Sequence, residues 1–281
     1  MTDTRTVVIT GITGKQGGAT ARHLAGKGFT ITGMTRHPEG EAAAALRASG
    51  IEIVKGDLDD AASLEQALAG AWGVFGVQNT WEAGVQGEEA QGKRLAEVAR
   101  RVGVQHYVYT SVGSAHRQTG IPHFDNKSRI EDTVRSLAFP STVILRPVFF
   151  MENLTSPWFM NGDTIYAAMK PDTRLQMIAV DDIGRYAARA FTDAANLNGR
   201  EIDLAGDAVT MPEAAATLGA AFGRPIGFVQ IPIEEVRKNS EDMAMMLEWF
   251  DRVGYDADIA ALAREFGFTP TSLAAWAATQ R

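Results

Sequence analysis

Three glycines in the first turn of this chain are its clearest chemical signal. Gly11-Ile12-Thr13-Gly14-Lys15-Gln16-Gly17-Gly18 follows a β-branched run at 6–10 and leads into small apolar residues at helical spacing. A strand-to-helix turn of this kind binds phosphates for physical reasons. Gly11 permits the tight turn, Gly14 lets backbone N–H groups approach a pyrophosphate, and Gly17 lets the helix pack close to the strand. The helix start adds partial positive charge. The GxxGxxG spacing departs from the commoner GxGxxG, so its place after the first strand carries the reading. The competing reading is a tight turn that holds no ligand.

The end of the second strand decides which dinucleotide fits. An acid there would bond a ribose 2′-hydroxyl and repel a 2′-phosphate, but the sequence has Thr35-Arg36-His37-Pro38. A guanidinium makes a bidentate, charged contact with phosphate. NADP(H) is therefore the expected cofactor, with Arg36 as discriminator and Thr35 and His37 as lesser contacts. The alternative is an arginine solvated in a loop. Asp57 and Leu58, after strand three, are expected at the adenine. Gln78, Asn79 and Thr80, after strand four, are expected on the nicotinamide-ribose side. Both assignments rest on the rule that ligands sit beyond the carboxyl ends of parallel strands, at a switch point.

Reduction with such a cofactor commonly uses a serine after strand five and Tyr-x-x-x-Lys on the next helix, where the lysine lowers the tyrosine's pKa. Ser111 and Lys127 occupy those places, but the residue four before Lys127 is His123. His123 is either a replacement proton donor, since imidazole titrates near neutrality, or a helix-start residue that packs and hydrogen-bonds. Lys127 is expected at the nicotinamide ribose, the alternative being a solvated lysine. A formal Tyr166-x-x-x-Lys170 comes much later and runs into Pro171. It reads as chance.

Strands alternating with helices must position these residues. Strands are expected at 6–10, 29–34, 52–54, 72–77, 106–110 and 141–145, and helices at 17–26, 41–48, 63–68, 88–101 and 127–137. Unbroken apolar runs mark strands buried on both faces. The helix at 88–101 carries Leu95, Val98, Ala99 and Val102 on one face. Such alternation implies right-handed crossovers and an α/β fold, a Rossmann-type doubly wound parallel sheet. We place it at 1–153, followed by a smaller α+β C-terminal domain at 154–281, with some exchange of chain between the two. In that second part strands are expected at 176–180, 201–204 and 225–232, with a helix capped by Thr210 running to Phe222. Asp181 and Asp182 suit a helix start better than a metal site. Five histidines without ligand spacing, and no cysteine, lead us to expect no metal centre. The cluster of Met243, Met245, Met246, Leu247, Trp249 and Phe250 is either core or the apolar wall of a cleft.

Composition bounds the rest. Apolar residues at 45% and charged residues at 22% describe an ordinary globular chain. The net charge of −7 is unevenly spread: residues 1–150 carry 16 lysines and arginines against 15 acids, and residues 151–281 carry 11 against 19. The near-neutral half is thus the one asked to hold a polyanionic dinucleotide. The acidity argues against nucleic acid as a partner, even for the helix at 210–222, whose outline faintly resembles half of a helix-turn-helix. No apolar stretch is long enough to span a membrane, and the run near the N-terminus is too short for a signal peptide. A cytoplasmic protein without a membrane partner is expected.

Together these stretches resemble the NmrA-like family of atypical short-chain dehydrogenase/reductases, most nearly the human NmrA-like NADPH redox-sensor subgroup. The likeness rests on the glycine turn at 11–18, Thr35-Arg36-His37-Pro38, Val54-Lys55-Gly56-Asp57, Asn79-Thr80-Trp81-Glu82 and Gln91-Gly92-Lys93-Arg94-Leu95-Ala96. It continues through Pro122-His123-Phe124-Asp125-Asn126-Lys127, Leu145-Arg146-Pro147 and Phe150-Met151-Glu152-Asn153. It is weaker afterwards, at Ala179–Gly184 and Gly223-Arg224-Pro225. The resemblance implies an NADP-binding Rossmann domain and a smaller domain roofing a cleft for a small-molecule acceptor. It carries cofactor contacts onto the glycine turn, including Thr13, Lys15 and Gln16, and onto Arg36, Asp57, 78–80, Lys127, Phe150, Glu152 and Asn153. It implies one of two functions. One is hydride transfer from NADPH to a quinone or similar planar electrophile, with Ser111, His123 and Lys127 as catalytic candidates. The other is a non-enzymatic NADPH/NADP sensor acting through a regulatory protein or self-association. A missing tyrosine is common in the family and does not choose between them; a third reading, a nucleotide-sugar epimerase, would require it.

Overall fold

A computed structural model describes residues 4–280; positions 1–3 and 281, the outer limits of the two expected domains, lie outside the described residues. The chain divides into two compact units. Unit one takes the described residues up to Ser111, with Asn126–Leu145 and Ile183–Ile202; unit two takes Val112–Asp125, Arg146–Asp182 and the described residues from Asp203.

In chain order the elements begin β1 (Arg5–Ile9), α1 (Lys15–Leu24), β2 (Phe29–Thr35), α2 (Glu41–Ala48), β3 (Glu52–Lys55), α3 (Ala61–Leu68) and β4 (Gly73–Gly76). Next come α4 (Thr80–Arg101), β5 (His106–Thr110), α5 (Pro122–Ser136), β6 (Ser141–Pro147), β7 (Phe149–Phe150), β8 (Met160–Asn161) and β9 (Thr164–Ala167). They continue with β10 (Leu175–Ile178), α6 (Val180–Thr192), α7 (Ala194–Leu197), β11 (Arg200–Leu204), β12 (Asp207–Val209) and α8 (Met211–Phe222). The chain closes with β13 (Gly227–Gln230), α9 (Ile233–Arg237), α10 (Glu241–Arg252), α11 (Ile259–Phe266) and α12 (Leu273–Ala278).

The principal sheet has the order β11-β6-β5-β4-β1-β2-β3, and every pairing from β3 across to β6 is parallel. The chain moves outward from β1 through β2 and β3, then returns to β1's other side at β4. That reversal is the switch point of a Rossmann-type doubly wound sheet, open at the carboxyl ends of β1 and β4. Two smaller sheets, β12-β10-β7 and β13-β9-β8, belong to unit two.

Burial on both faces explains the unbroken apolar strands. Val7, Val8 and Ile9 are buried, as is every residue of β5. In unit one the helices α3, α4 and α5 contribute Leu64, Leu68, Leu95, Val98, Ile130 and Val134 to the same core as Val8 and Tyr107. A glycine sets how closely α4 and α5 approach: a Cβ at Gly92 would stand 2.5 Å from Ile130 Cδ1. Unit two has its own core, which includes Phe124, Met151, Met177, Met246, Trp249 and Trp276. The methionine and aromatic cluster of α10 is therefore core, with Met243 and Met245 packed partly buried against it.

Several boundaries differ from expectation, each for a local reason. Helix α5 starts at Pro122 rather than at 127, because proline suits a first helical position, where no N–H acceptor is needed. His123 thus lies inside the helix, one turn before Lys127. Helix α4 starts at Thr80, not 88: the Asn79 side chain caps it by accepting from the Trp81 N–H, and Gly84 (φ 72°) interrupts it. Residues 80–87 place their apolar members Trp81, Ala83 and Val85 at alternate positions among glycines, and so lack the helical apolar period that would have shown this turn. Val180 opens α6 rather than ending β10. Thr210 does cap α8, in a reciprocal box with Glu213. Tyr166 stands on β9 and Lys170 follows in a turn, so their spacing does not have the helical geometry that would stack the two side chains. Among the described residues, no helix is long and apolar enough to cross a membrane.

His106, which opens β5, predicts an acid sensitivity. It is fully buried, its ring stacked 5.3 Å from Trp72 and edge-on to Phe191 at 5.2 Å, with Nδ1 2.8 Å from Ser141 Oγ. Burial pulls its pKa from 6.5 to about 4; a backbone hydrogen bond at Ala190 opposes the shift and the nearby Arg5 charge adds to it. A folded value below the unfolded one gives stability that is present above pH 6.5 and lost as pH falls toward 4. Urea unfolding at pH 7 and pH 4.5 should show about 2–3 kcal/mol of acid-side loss that His106→Gln does not suffer. Equal losses in the two proteins would exclude this assignment.

Candidate functional site

Thr10 ties the carboxyl ends of β1 and β4 together. Its Oγ1 donates to the carbonyl oxygens of Phe75 and Val77 at 3.2 and 3.1 Å, in alternative directions, and accepts from the Val77 N–H at 2.9 Å. Gly11 then turns the chain with φ 57°, and a Cβ there would meet Val77 Cγ1 at 2.8 Å. A Cβ at Gly17 would lie 2.3 Å from the Gly11 carbonyl oxygen and 2.8 Å from that of Thr10. Bare main chain on both sides therefore lets α1 start against the strand end. Gly14 is the residue before α1, and it offers no side chain to cap the first turn. By contrast Asn79, Thr210 and Ser240 cap α4, α8 and α10. An uncapped helix start at a switch point presents N–H groups and partial positive charge to an anion.

The other expected residues of unit one surround this turn in sequence and topology. Gln16 Oε1 accepts from Thr110 Oγ1 at 2.7 Å, joining the glycine turn to the end of β5. Thr13 and Lys15 are exposed. Arg36 makes an ion pair with Glu82 in the first turn of α4, both about half exposed, and Thr35 Oγ1 accepts from the His37 N–H at 3.2 Å. Exposed pairs of this kind contribute little, so the guanidinium is free to exchange partners. Asp57 sits in a self-held turn: its Oδ1 accepts from the Asp59 N–H at 3.0 Å and its N–H donates to Ser63 Oγ at 2.9 Å. The Leu58 carbonyl accepts from Arg94 Nη1 at 2.6 Å.

Of the buried side chains with polar atoms that lack a hydrogen-bond partner, which also include Tyr107 and Tyr109 of β5, two lie just beyond strand ends near the turn. Gln78 is 8% exposed, and neither end of its amide is hydrogen-bonded among the described residues; the same holds for the hydroxyl of Ser111, 5% exposed. Leaving such a group unpaired costs about 1–3 kcal/mol. Both stand just past strand ends next to the glycine turn in the sheet order, β4 and β5. Orphaned donors and acceptors, and a turn that a single Cβ would fill, are what a dinucleotide site requires.

Lys127 is not solvated. Its ammonium pairs with Glu88, which is fully buried, while the lysine side chain is 13% exposed. Glu88 also accepts from Thr80 Oγ1 and from Asn126 Nδ2, the latter at 2.9 Å. Burial pushes the Glu88 carboxyl up, but the Lys127 charge and the hydrogen bonds from Lys127, Thr80 and Asn126 outweigh it and hold it below the ordinary carboxylate range. Glu88 was not singled out from the sequence. The available signal was its place two turns before Leu95, a carboxylate on the buried stripe of α4.

The remaining expected residues lie in unit two. His123 is buried, its Nδ1 paired with Asp242 in the first turn of α10 and its ring edge-on to Phe124 at 4.8 Å. Nothing in the sequence marked Asp242. Phe150 precedes a short turn at Met151–Asn153. Glu152 Oε1 accepts from the Val180 N–H at 3.0 Å and the Trp276 indole at 3.1 Å, and the Asn153 carbonyl accepts from the Ser156 N–H at 3.0 Å. These contacts tie the Glu152 segment to α6 and α12 within unit two.

Comparison with known proteins gives a consistent picture. A model of the NmrA-like family matches residues 3–276. The chain is 28% identical over 225 residues to the NmrA-like family domain-containing oxidoreductase FrzB of a Cladobotryum species, covering 70% of this chain and 67% of that one. It is 32% identical over 177 residues to the nitrogen metabolite repression protein nmr of Neurospora crassa, covering 57% of this chain and 36% of that protein. The match thus spans little more than a third of that relative's length. Among solved structures, the NADPH-dependent quinone oxidoreductase of Escherichia coli complexed with NADPH shares the fold, with TM-score 0.82 and 23% identity over 98% of this chain and 99% of that one.

The unpartnered groups give a direct test of whether they serve folding. Gln78→Met and Ser111→Ala should leave the ligand-free protein unchanged or more stable by up to about 1 kcal/mol, because no hydrogen bond is lost and a desolvation cost disappears. Urea midpoints measure this. A loss beyond about 1 kcal/mol in either variant would show that the group already has a structural partner.

Proposed function

We propose that this chain, which belongs to the NmrA-like family, binds NADP(H) at the switch point of unit one and transfers hydride from NADPH to a small planar acceptor of the quinone class. One observation carries the reading: the uncapped start of α1, with glycines at 11, 14 and 17, is combined with Arg36 where an acid would select NAD. The oxidoreductase among its relatives and the NADPH-bound structure of the same fold support it.

Bound NADPH supplies the hydride. The chain's own residues hold and orient. The N–H groups of Lys15, Gln16 and Gly17 take the pyrophosphate, and Arg36 exchanges Glu82 for the 2′-phosphate. Asp57 and Leu58 border the adenine, while Gln78, Asn79, Thr80 and Lys127 take the nicotinamide ribose. Ser111 offers its unpaired hydroxyl as a donor to an acceptor oxygen. A reduced quinone takes its proton from water, so this substrate class does not need the missing tyrosine.

A second reading has one observation in its favour. The position of the usual tyrosine carries His123, whose Nδ1 is engaged by Asp242, as suits a protein that binds cofactor without turnover and reports the NADPH/NADP ratio to a partner or through self-association.

Titration calorimetry should find NADPH bound at least tenfold more tightly than NADH, and Arg36→Ala should remove that preference, a change of about 1.4 kcal/mol or more. Equal affinity for the two cofactors in the unaltered protein would sink the Arg36 argument. Steady-state assays of NADPH with a panel of quinones separate the two readings: turnover supports the reductase, and tight binding without turnover supports the sensor.

A further inference from the structure

A fully buried carboxylate is an unusual neighbour for a residue whose task is to touch a cofactor. Burying a charge is unfavourable unless it is paired and fully hydrogen-bonded, and an ion pair of that kind is commonly replaceable by apolar side chains without loss of stability. Stability alone therefore does not account for Glu88. Its surroundings are built around it. Lys127 and Asn126 reach it from α5, and Thr80 reaches it from the first turn of α4. Asn126 Nδ2 also donates to the Val85 carbonyl at 2.8 Å, immediately after the break at Gly84. One turn beyond Glu88, Gly92 gives α4 and α5 the close approach that brings positions 88 and 127 into contact.

We propose that Glu88 is the positioning residue for Lys127 and Thr80, clamping the ammonium and the hydroxyl so that both present their remaining hydrogen-bonding capacity to the uncharged hydroxyls of the nicotinamide ribose. The inference rests on the NADP(H) reading above and deepens it. A compensated ammonium suits neutral hydroxyls; a bare one would suit phosphate. Lys127 then serves as a fixed donor, held by a carboxylate that its own charge and the hydrogen bonds around it keep below the ordinary range. The other titratable group coupled to Glu88 is Tyr109 of β5, whose phenol burial pushes far up, with Glu88 and Glu131 adding to the effect. Glu131 itself pairs with Arg135.

The test is NADPH affinity between pH 7 and pH 9, measured by calorimetry on the full chain, with 2′,5′-ADP as a probe that lacks the nicotinamide ribose. The unaltered protein should show a flat profile. Glu88→Gln should bind NADPH more weakly, and its affinity should fall a further fivefold or more from pH 7 to pH 9, because a buried ammonium without its counter-charge sheds its proton as pH rises. Glu88→Asp, which keeps the charge, should restore the flat profile. Lys127→Met should be weak at every pH, and adding Glu88→Gln to it should cost nothing more. All variants should bind 2′,5′-ADP alike, which also reports that they are folded. A flat Glu88→Gln profile, or further loss in the double variant, with 2′,5′-ADP binding intact, would overturn the positioning role alone. Failure of the unaltered protein to bind 2′,5′-ADP would bring down the cofactor reading and this inference with it.

Discussion

The organisation of unit one depends on a contact between two stretches of bare main chain. Gly17 stands against the carbonyl of Gly11 at a separation that no β-carbon could occupy. Because of that contact α1 begins at the end of β1 rather than beyond it, and Thr10 can tie β1 to β4 at the same level. The first turn of α1 is left without a side-chain cap at the point where the strand order reverses. Helix α2 also starts uncapped, at Gly40, but away from the switch point; at α1 the uncapped start and the strand reversal coincide. The result is an open set of donors at that point.

Charge follows the same logic with different means. Arg36 is held by an exposed, weak partner in Glu82, whereas Lys127 is held by a buried one in Glu88. The first can exchange its counter-ion at small cost; the second cannot. Within one unit the chain therefore carries one cation with a replaceable partner and one with a fixed partner, the two kinds that the proposed site would need for a doubly charged group and for neutral hydroxyls.

The principal sheet was legible because its strands are covered on both faces, so that β5 reads as five consecutive residues that all turn out to be buried. The glycine turn was legible because three glycines between a strand and a helix have few other uses. Helix starts were harder to see. The opening turn of α4 has no helical apolar period and is cut off by Gly84, and α5 begins at a proline that reads equally well as a loop. Side-chain partnerships were hidden for another reason. Glu88 meets Lys127 through the packing of two helices, and Asp242 meets His123 across more than a hundred residues of chain. Unit two suffered most, since strands of two to four residues are too short to show any periodicity.

The break at Gly84 has a mechanical meaning. It divides α4 into a long shaft, fixed to the core by Leu95 and Val98, and a single leading turn that carries Thr80, Trp81 and Glu82. That turn is moored twice: by Thr80 to a buried acceptor and by Glu82 to an exposed arginine. Were Arg36 to exchange Glu82 for a 2′-phosphate, as proposed above, the inner mooring would remain, and the break at residue 84 would separate the leading turn from the shaft. Cofactor binding at the adenine end would then disturb a single turn of helix, and the exposed indole of Trp81 would report it optically.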